Sequence, residues 1–332
     1  LPARSRAGAV VKYLVTGATG FLGTHLVRML EDAGHSVVVF SRASGGDVTG
    51  SSAVAAVRTA AAGCDGAFHC AGKVSRRPED AEALYRVHVE GTRNVLDGCA
   101  AAGVRRVVVA STSGVVAVSE DGEHIGSEND AAPLDLIHRW PYYRAKLFAE
   151  REALERRRPG LEVVCVNPSL LLGPGDVHGS STVDVRAFLE GRVGAVFRGG
   201  LSFVDVRDAA AAFCAAMDRG RAGERYLVGA CNLTVRDFVE RLSRVSGVRA
   251  PWLLLPRSRA FARAAAGLVE RGAARLGVAP PVDAQTADMA QCYWYLDAGK
   301  ARAELGFTPR DPNVTLFDTV EDLRQRGVVW PA

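Results

Sequence analysis

Short apolar runs alternate along this chain with longer segments whose apolar positions recur at helical spacing. Val10-Val11-Lys12-Tyr13-Leu14-Val15 is a β-rich run that ends on Thr16-Gly17-Ala18-Thr19-Gly20-Phe21-Leu22-Gly23. Leu26, Val27, Leu30 and Ala33 then mark one face of a helix, which Gly34 stops. Ser36 to Phe40 predicts a second buried strand, ending at Ser41-Arg42. The alanine-rich stretch from Ser52 to Ala62 predicts a helix, Ala67-Phe68-His69-Cys70 a short strand, and Ala71-Gly72 a turn. A long helix is expected from about Pro78 through Ala102, then a strand from Arg105 to Ala110 that delivers Ser111-Thr112-Ser113-Gly114. A helix around Tyr142 and a strand from Leu161 to Val166 continue the alternation, and Asn167-Pro168-Ser169 follows. Strand and helix in strict turn predict an α/β chain with a doubly wound parallel sheet.

Beyond Ser169 the pattern loosens. Gly173-Pro174-Gly175-Asp176 breaks the chain, and Val177 to Thr182 reads as loop. Ser202 to Asp208 leads into an alanine-rich helix at 209–218, and Arg225 to Gly229 reads as another strand. Thr234, with Asp237 three residues on, is placed to cap a helix at 234–246. Residues 251–332 read as mostly helical, with prolines at the joints.

Composition removes several classes of function. Lys and Arg number 41 against 37 Asp and Glu, and a net charge of +4 with no basic block interleaved with aromatics argues against a nucleic-acid partner. Seven scattered cysteines with no Cys-x-x-Cys read as reduced core thiols of a cytoplasmic protein. The histidines show no metal-site spacing, so no metal is expected. No run of eighteen apolar residues occurs, so no membrane span is expected. The basic amphipathic segment 257–276, with Arg257, Arg263 and Arg271, could lie on a membrane surface. Such a helix more often packs one face on its own domain and solvates the other, which is the expectation here. Residues 1–9 read as a disordered leader.

The chemistry begins at the first turn. Strand, glycine turn and helix are the context of a dinucleotide fingerprint, with glycines at G-x-x-G-x-x-G spacing. Gly17 allows the tight turn, Gly20 the approach of pyrophosphate and Gly23 close helix–strand packing, with Thr19, Phe21 and Leu22 on the same turn. The phosphates would meet the free N–H groups at the helix N-terminus. The second strand ends without the acid that holds a ribose 2′-hydroxyl; Ser41 and Arg42 suit a 2′-phosphate instead, which points to NADP(H). Farther on, Tyr142 and Lys146 lie one helical turn apart, where an ammonium can favour the phenolate.

Thr16 to Gly23, Tyr142 with Lys146, and Ser113 between them resemble the extended short-chain dehydrogenase/reductase family, in its dihydroflavonol-4-reductase-like branch. Gly46-Asp47-Val48, Gly91 to Leu96, Phe203 to Asp208 and Lys300 to Phe307 support the resemblance from Val11 onward. It implies a Rossmann domain of residues 10–168 plus about 203–231, and a smaller substrate lobe of about 169–202 plus 232–332. Asp47 and Val48 would meet the adenine; Ala71, Gly72, Ser111, Asn167, Pro168 and Ser169 would line the cofactor path. Tyr142 would donate the proton, Lys146 would bind the nicotinamide ribose and depress the Tyr142 pKa, and Ser113 would hold the carbonyl oxygen. One departure stands out: relatives carry Asn-Val-x-Gly-Thr where this chain has His88-Val89-Glu90-Gly91-Thr92. His88 could order the site through a ring nitrogen or bring a titration near neutrality.

The expected activity is an NADPH-dependent reduction of a hydrophobic or aromatic ketone, aldehyde or β-keto compound, by a monomer or homodimer. Its pocket would draw on Val74 to Arg77, His138, Trp140, Leu170 to Ser181 and Phe203. The alternatives are an NAD-retaining nucleotide-sugar epimerase or dehydratase, a non-catalytic NADP-binding sensor, and a 3β-hydroxysteroid-type dehydrogenase/isomerase. The first lacks its strand-end acid and an acidic pair beside the hydroxyl turn, and a sensor would have no use for the Tyr/Lys pair.

Overall fold

The computed structural model describes residues 10–255 and 284–329. Residues 1–9, expected as a leader, and the basic segment 257–276 lie outside the described residues. Strands β1 (Lys12–Thr16), β2 (Ser36–Phe40), β3 (Gly66–His69), β4 (Arg106–Ala110), β5 (Glu162–Pro168) and β9 (Arg225–Val228) form one sheet in the order β2-β1-β3-β4-β5-β9. Every pairing in it is parallel. Because successive side chains point to opposite faces, the β-branched runs feed two cores at once. Tyr13, Val15, Phe68, Val108, Val164 and Val166 pack under α1 (Phe21–Asp32) and α8 (Val206–Arg219). Leu14, Ala67, Val107, Val109, Val163 and Cys165 pack under α2 (Ala53–Ala60) and α4 (Gly91–Ala101) on the other side.

The long helix expected from 78 to 102 is present in three parts: α3 (Ala81–Tyr85), a π-helical turn at Arg86–Glu90, and α4. Strand β1 runs to β2 on one side and the chain then returns across it to β3. Strand order therefore switches between the C-terminal ends of β1 and β3, where an open α/β sheet forms its ligand crevice.

A second sheet, in the order β10-β8-β6, joins β6 (Leu170–Leu172), β8 (Gly200–Asp205) and β10 (Cys231–Thr234). Short β7 (Ala195–Phe197) pairs with β11 (Leu253–Leu255). Residues 203–205, expected in the larger lobe, hydrogen-bond within this smaller sheet, and α8 then returns to the large one. The third core lies around Leu172, Phe203, Phe238 and Leu316, between α7 (Val183–Leu189), α9 (Val235–Ser246) and the helix Pro312–Gln325. The helix expected at 209–218 begins earlier, at Val206, because the Asp205 carboxylate caps it through the Arg207 N–H at 2.9 Å. After the helix Ala284–Met289 the chain runs extended, bridging Ser119 and Gly200 through Tyr293 and Gly126 through Leu296. No helix among the described residues is long and apolar enough to cross a membrane.

Candidate active site

Helix α6 (Pro141–Glu155) organises the site. Proline at its first position gives up only an N–H that has no partner inside the helix. Tyr142, Lys146 and Glu150 then follow at four-residue intervals along one face. Lys146 is buried, and its Nζ donates to the carbonyl of Ala110, the last residue of β4, at 2.8 Å. Glu150 is 1% exposed; its Oε2 accepts from Asn167 Nδ2 at 2.5 Å, and its Oε1 lies 3.0 Å from Arg225 Nε. Asn167 Nδ2 also reaches the Thr112 carbonyl at 3.1 Å. One face of α6 is thus bonded to the C-terminal ends of β4 and β5, with the hydroxyl turn between them.

That turn is tightly specified. Ser111 N donates to Val166 O at 2.9 Å, and the Thr112 hydroxyl caps the 3-10 turn Ser113–Val115. A Cβ on Gly114 would run into Tyr143 Cε1 and lie 2.9 Å from Trp294 Cζ3, so only glycine lets these rings rest on the turn. Tyr143 and Trp294 stack with centroids 4.8 Å apart, and the Tyr142 ring meets Tyr143 edge-on at 5.1 Å. Ser111 Oγ and Ser169 Oγ are buried and have no protein partner. Leaving such a group unpaired costs roughly 1–3 kcal/mol, so a bound molecule with polar atoms fits here.

The glycine turn after β1 is equally constrained. Gly17 has φ +68°, and a Cβ there would lie 2.5 Å from Ala71 N, across the switch point. A Cβ on Gly23 would collide with Gly17 O, the close helix–turn packing expected of that position. Gly20 caps α1 in extended conformation, with Thr19 exposed beside it and Phe21 and Leu22 buried. Ser41 is buried and caps the turn Arg42–Ser44, while Arg42 is exposed and its side chain makes no hydrogen bond or close ion pair among the described residues. Asp47 is exposed; its carboxylate accepts from Thr49 N and Thr49 Oγ1, both at 2.8 Å, and these bonds lower its pKa. Val48 is buried against Gly91. Ala71 and Gly72 continue from β3 at the same edge of the sheet, and Pro168 and Ser169 close β5 there, both buried.

Electrostatics of the protein alone are dominated by burial. Burial, with Tyr143 adding to it, raises the Tyr142 phenol above its ordinary value, so the lowering expected from Lys146 does not emerge in the chain by itself. Burial brings Lys146 down to about 8, against the pull of Cys70 and Glu150. His69, read as a core histidine, bridges Thr16 Oγ1 (2.7 Å) and Thr92 Oγ1 (3.0 Å), and burial holds its pKa near 3. His88 is pushed well below its ordinary value by burial, which removes the titration near neutrality that its sequence position allowed.

Two expected pocket residues belong to the core. Trp140 is 1% exposed with Nε1 on Asp288 at 3.1 Å, and Phe203 is fully buried. Sequence reasoning missed Glu150, whose four-residue spacing from Lys146 was its only signal. Within the expected pocket stretch Leu170 to Ser181, Asp176 is a buried carboxylate that accepts from Ser180, Ser181 and Thr182 and so shapes the loop after β6. In the other expected stretch, Val74 to Arg77, Arg76 reaches across to Asp184 on α7 with two bonds, at 2.9 and 2.6 Å.

Residues 13–229 match the NAD dependent epimerase/dehydratase family. A Synechocystis protein provisionally named dihydroflavonol 4-reductase is 33% identical over 336 residues, covering 96% of each chain. Sterol demethylase protein B of Methylococcus capsulatus is 32% identical, over 95% of this chain and 99% of its own. Among solved structures, PA4631, described as a nucleoside-diphosphate-sugar epimerase from Pseudomonas aeruginosa, superimposes with a TM-score of 0.77 at 27% identity, over 97% of this chain and all of that one.

Proposed function

The chain belongs to the NAD dependent epimerase/dehydratase family, in the dihydroflavonol-4-reductase-like branch of the extended short-chain dehydrogenases/reductases, and from that premise we propose that it is an NADPH-dependent carbonyl reductase. The observation that carries this reading is the Lys146–Ala110 bond, which docks the face of α6 bearing Tyr142 beside Ser111–Ser113. The large sheet would hold the dinucleotide, and the smaller lobe would close over the substrate.

The residues fit such a cofactor. Gly17, Gly20 and Gly23 keep the pyrophosphate turn bare, with Thr19, Phe21 and Leu22 around it. Ser41 and Arg42 would take the 2′-phosphate, because the Arg42 side chain is exposed and makes no close ion pair among the described residues. Asp47 and Val48 would face the adenine, Ala71 and Gly72 the diphosphate path, and Ser111, Asn167, Pro168 and Ser169 the nicotinamide end. Bound NADPH supplies hydride. As negative charge grows on the substrate oxygen, the Ser113 hydroxyl donates a hydrogen bond to it and Tyr142 donates its proton. The raised Tyr142 pKa keeps that proton in place at neutral pH, and Lys146, one helical turn along, would stabilise the phenolate left behind. Tyr143 and Trp294 lie on the hydroxyl turn as an aromatic surface, which suits a small hydrophobic or aromatic ketone, aldehyde or β-keto compound.

The epimerase reading draws on the likeness to PA4631, but no acid stands at the end of β2 or in the hydroxyl turn. The decisive experiment measures NADPH oxidation against a panel of ketones and aldehydes for the wild type and Tyr142→Phe. Turnover should fall at least a hundredfold in the variant with NADPH affinity within twofold. Full activity without the phenol would remove Tyr142 from its role. Tightly retained NAD in the purified wild type would favour an epimerase.

A further inference from the structure

The residue at 88 departs from the family's asparagine, and its surroundings give it work to do. The π-helical turn Arg86–Glu90 carries His88 inward to 2% exposure. Such turns inside α-helices occur often at functional sites. Three contacts converge on the imidazole. Its Nε2 lies 2.8 Å from the Lys73 carbonyl, a distance that places the proton on Nε2, with the Lys73 N–H farther off at 3.4 Å. Its ring meets Tyr142 edge-on, with centroids 5.6 Å apart and planes at 80°. Gly72 adjoins it so closely that a Cβ there would lie 2.8 Å from His88 Cε1.

Lys73 belongs to the segment 72–77 that leaves β3. Four residues after Gly72, Arg76 grips Asp184 of α7 with two bonds. The segment is therefore held at its root by His88 and near its far end by the smaller lobe. The Tyr142 ring, in turn, touches His88 at one edge contact and Tyr143 at another. An asparagine is too short to place its amide where Nε2 sits, and a glutamine could keep the Lys73 bond but has no ring to set against Tyr142. A phenylalanine would keep the ring and lose the bond. Histidine supplies both.

We propose that His88 is a positioning residue, fixing the Tyr142 ring with its own ring and the 72–77 segment with Nε2. This rests on Tyr142 as the proton donor, so the Tyr142→Phe result is read first: if that variant is inactive, the tests below bear on His88 alone. The imidazole takes no proton in the reaction.

The two functions of His88 separate in two variants, assayed with NADPH and a carbonyl substrate that the wild type reduces. His88→Gln should lower kcat fivefold or more with KM nearly unchanged, because only the ring contact is lost. His88→Phe should raise KM fivefold or more with a smaller effect on kcat, because the 72–77 segment is released. NADPH affinity should stay within twofold in both. The wild-type kcat/KM should show no limb between pH 5.5 and 7.5. If both variants keep kcat and KM within twofold of wild type, the proposal is overturned. It is overturned equally by a wild-type limb near pH 6–7 that His88→Phe abolishes, since that would make the imidazole an acid–base group. Should either variant fail to fold, Gly72→Ala displaces the same ring without replacing it, and wild-type kcat and KM there would overturn the proposal.

Discussion

Arg42 opens the turn after β2 with its guanidinium exposed and without a close ion pair or hydrogen bond among the described residues, where a 2′-phosphate would sit in the proposed complex. Arg42→Asp replaces that cation with a carboxylate that repels a 2′-phosphate and can accept from a ribose 2′-hydroxyl. The NADPH-to-NADH ratio of kcat/KM should fall at least tenfold, equivalent to about 1.4 kcal/mol; an unchanged ratio would sink the assignment. Gly114 makes a different demand. Its missing Cβ is the space that Tyr143 and Trp294 occupy, so Gly114→Ala should displace the rings or Ser113. Overpacking of this kind costs about 1–3 kcal/mol, and urea melts together with turnover would show stability and kcat falling together. The sequence marked Ser113 as a candidate but gave no reason for its neighbour to be glycine, because Trp294 arrives from 180 residues along the chain.

At the scale of elements, the sequence was most legible where a local rule acts alone. Thr234 caps α9 as expected, accepting from Asp237 N at 3.0 Å, with its own hydroxyl donated to the Asp237 carboxylate at 2.7 Å. Thr234→Ala should cost about 1 kcal/mol of stability and leave NADPH binding intact. A melting midpoint equal to wild type would show that the cap is supported elsewhere. Strands β6, β7 and β11 were illegible for the opposite reason. Three residues are too few for an alternation to register, and their pairing partners lie on distant parts of the chain. The π-helical turn at 86–90 is likewise invisible in the apolar spacing, although it is what turns His88 toward Tyr142.

Across the whole molecule, two buried neutral histidines make stability depend on pH. His69 titrates near 3 and His88 well below its ordinary value, both through burial, whereas an unfolded histidine takes up its proton near pH 6.5. The native state therefore stays neutral where the unfolded chain gains charge. Their stabilising contribution is complete above about pH 6.5 and is lost as pH falls toward the folded values. At pH 5 His69 should have cost the fold about 2 kcal/mol relative to pH 7.5, with His88 acting in the same direction. Urea melts at those two values would test this, and equal stabilities would show that the imidazoles are protonated in place. The likeness to solved structures concerns this same level, since one fold serves epimerases and reductases alike, and chemistry must be argued from the site.

By itself the sequence determined the parallel α/β alternation, the glycine turn, and the four-residue interval between Tyr142 and Lys146. Each follows from backbone geometry within a dozen residues: strand period, helix period and the conformations open to glycine. The tertiary structure decided what those residues face. It set Lys146 on Ala110, Glu150 between Asn167 and Arg225, and His88 between Lys73 and Tyr142. It also withdrew Trp140 and Phe203 into the core. Those outcomes depend on which elements pack together, and packing joins positions that no local spacing relates.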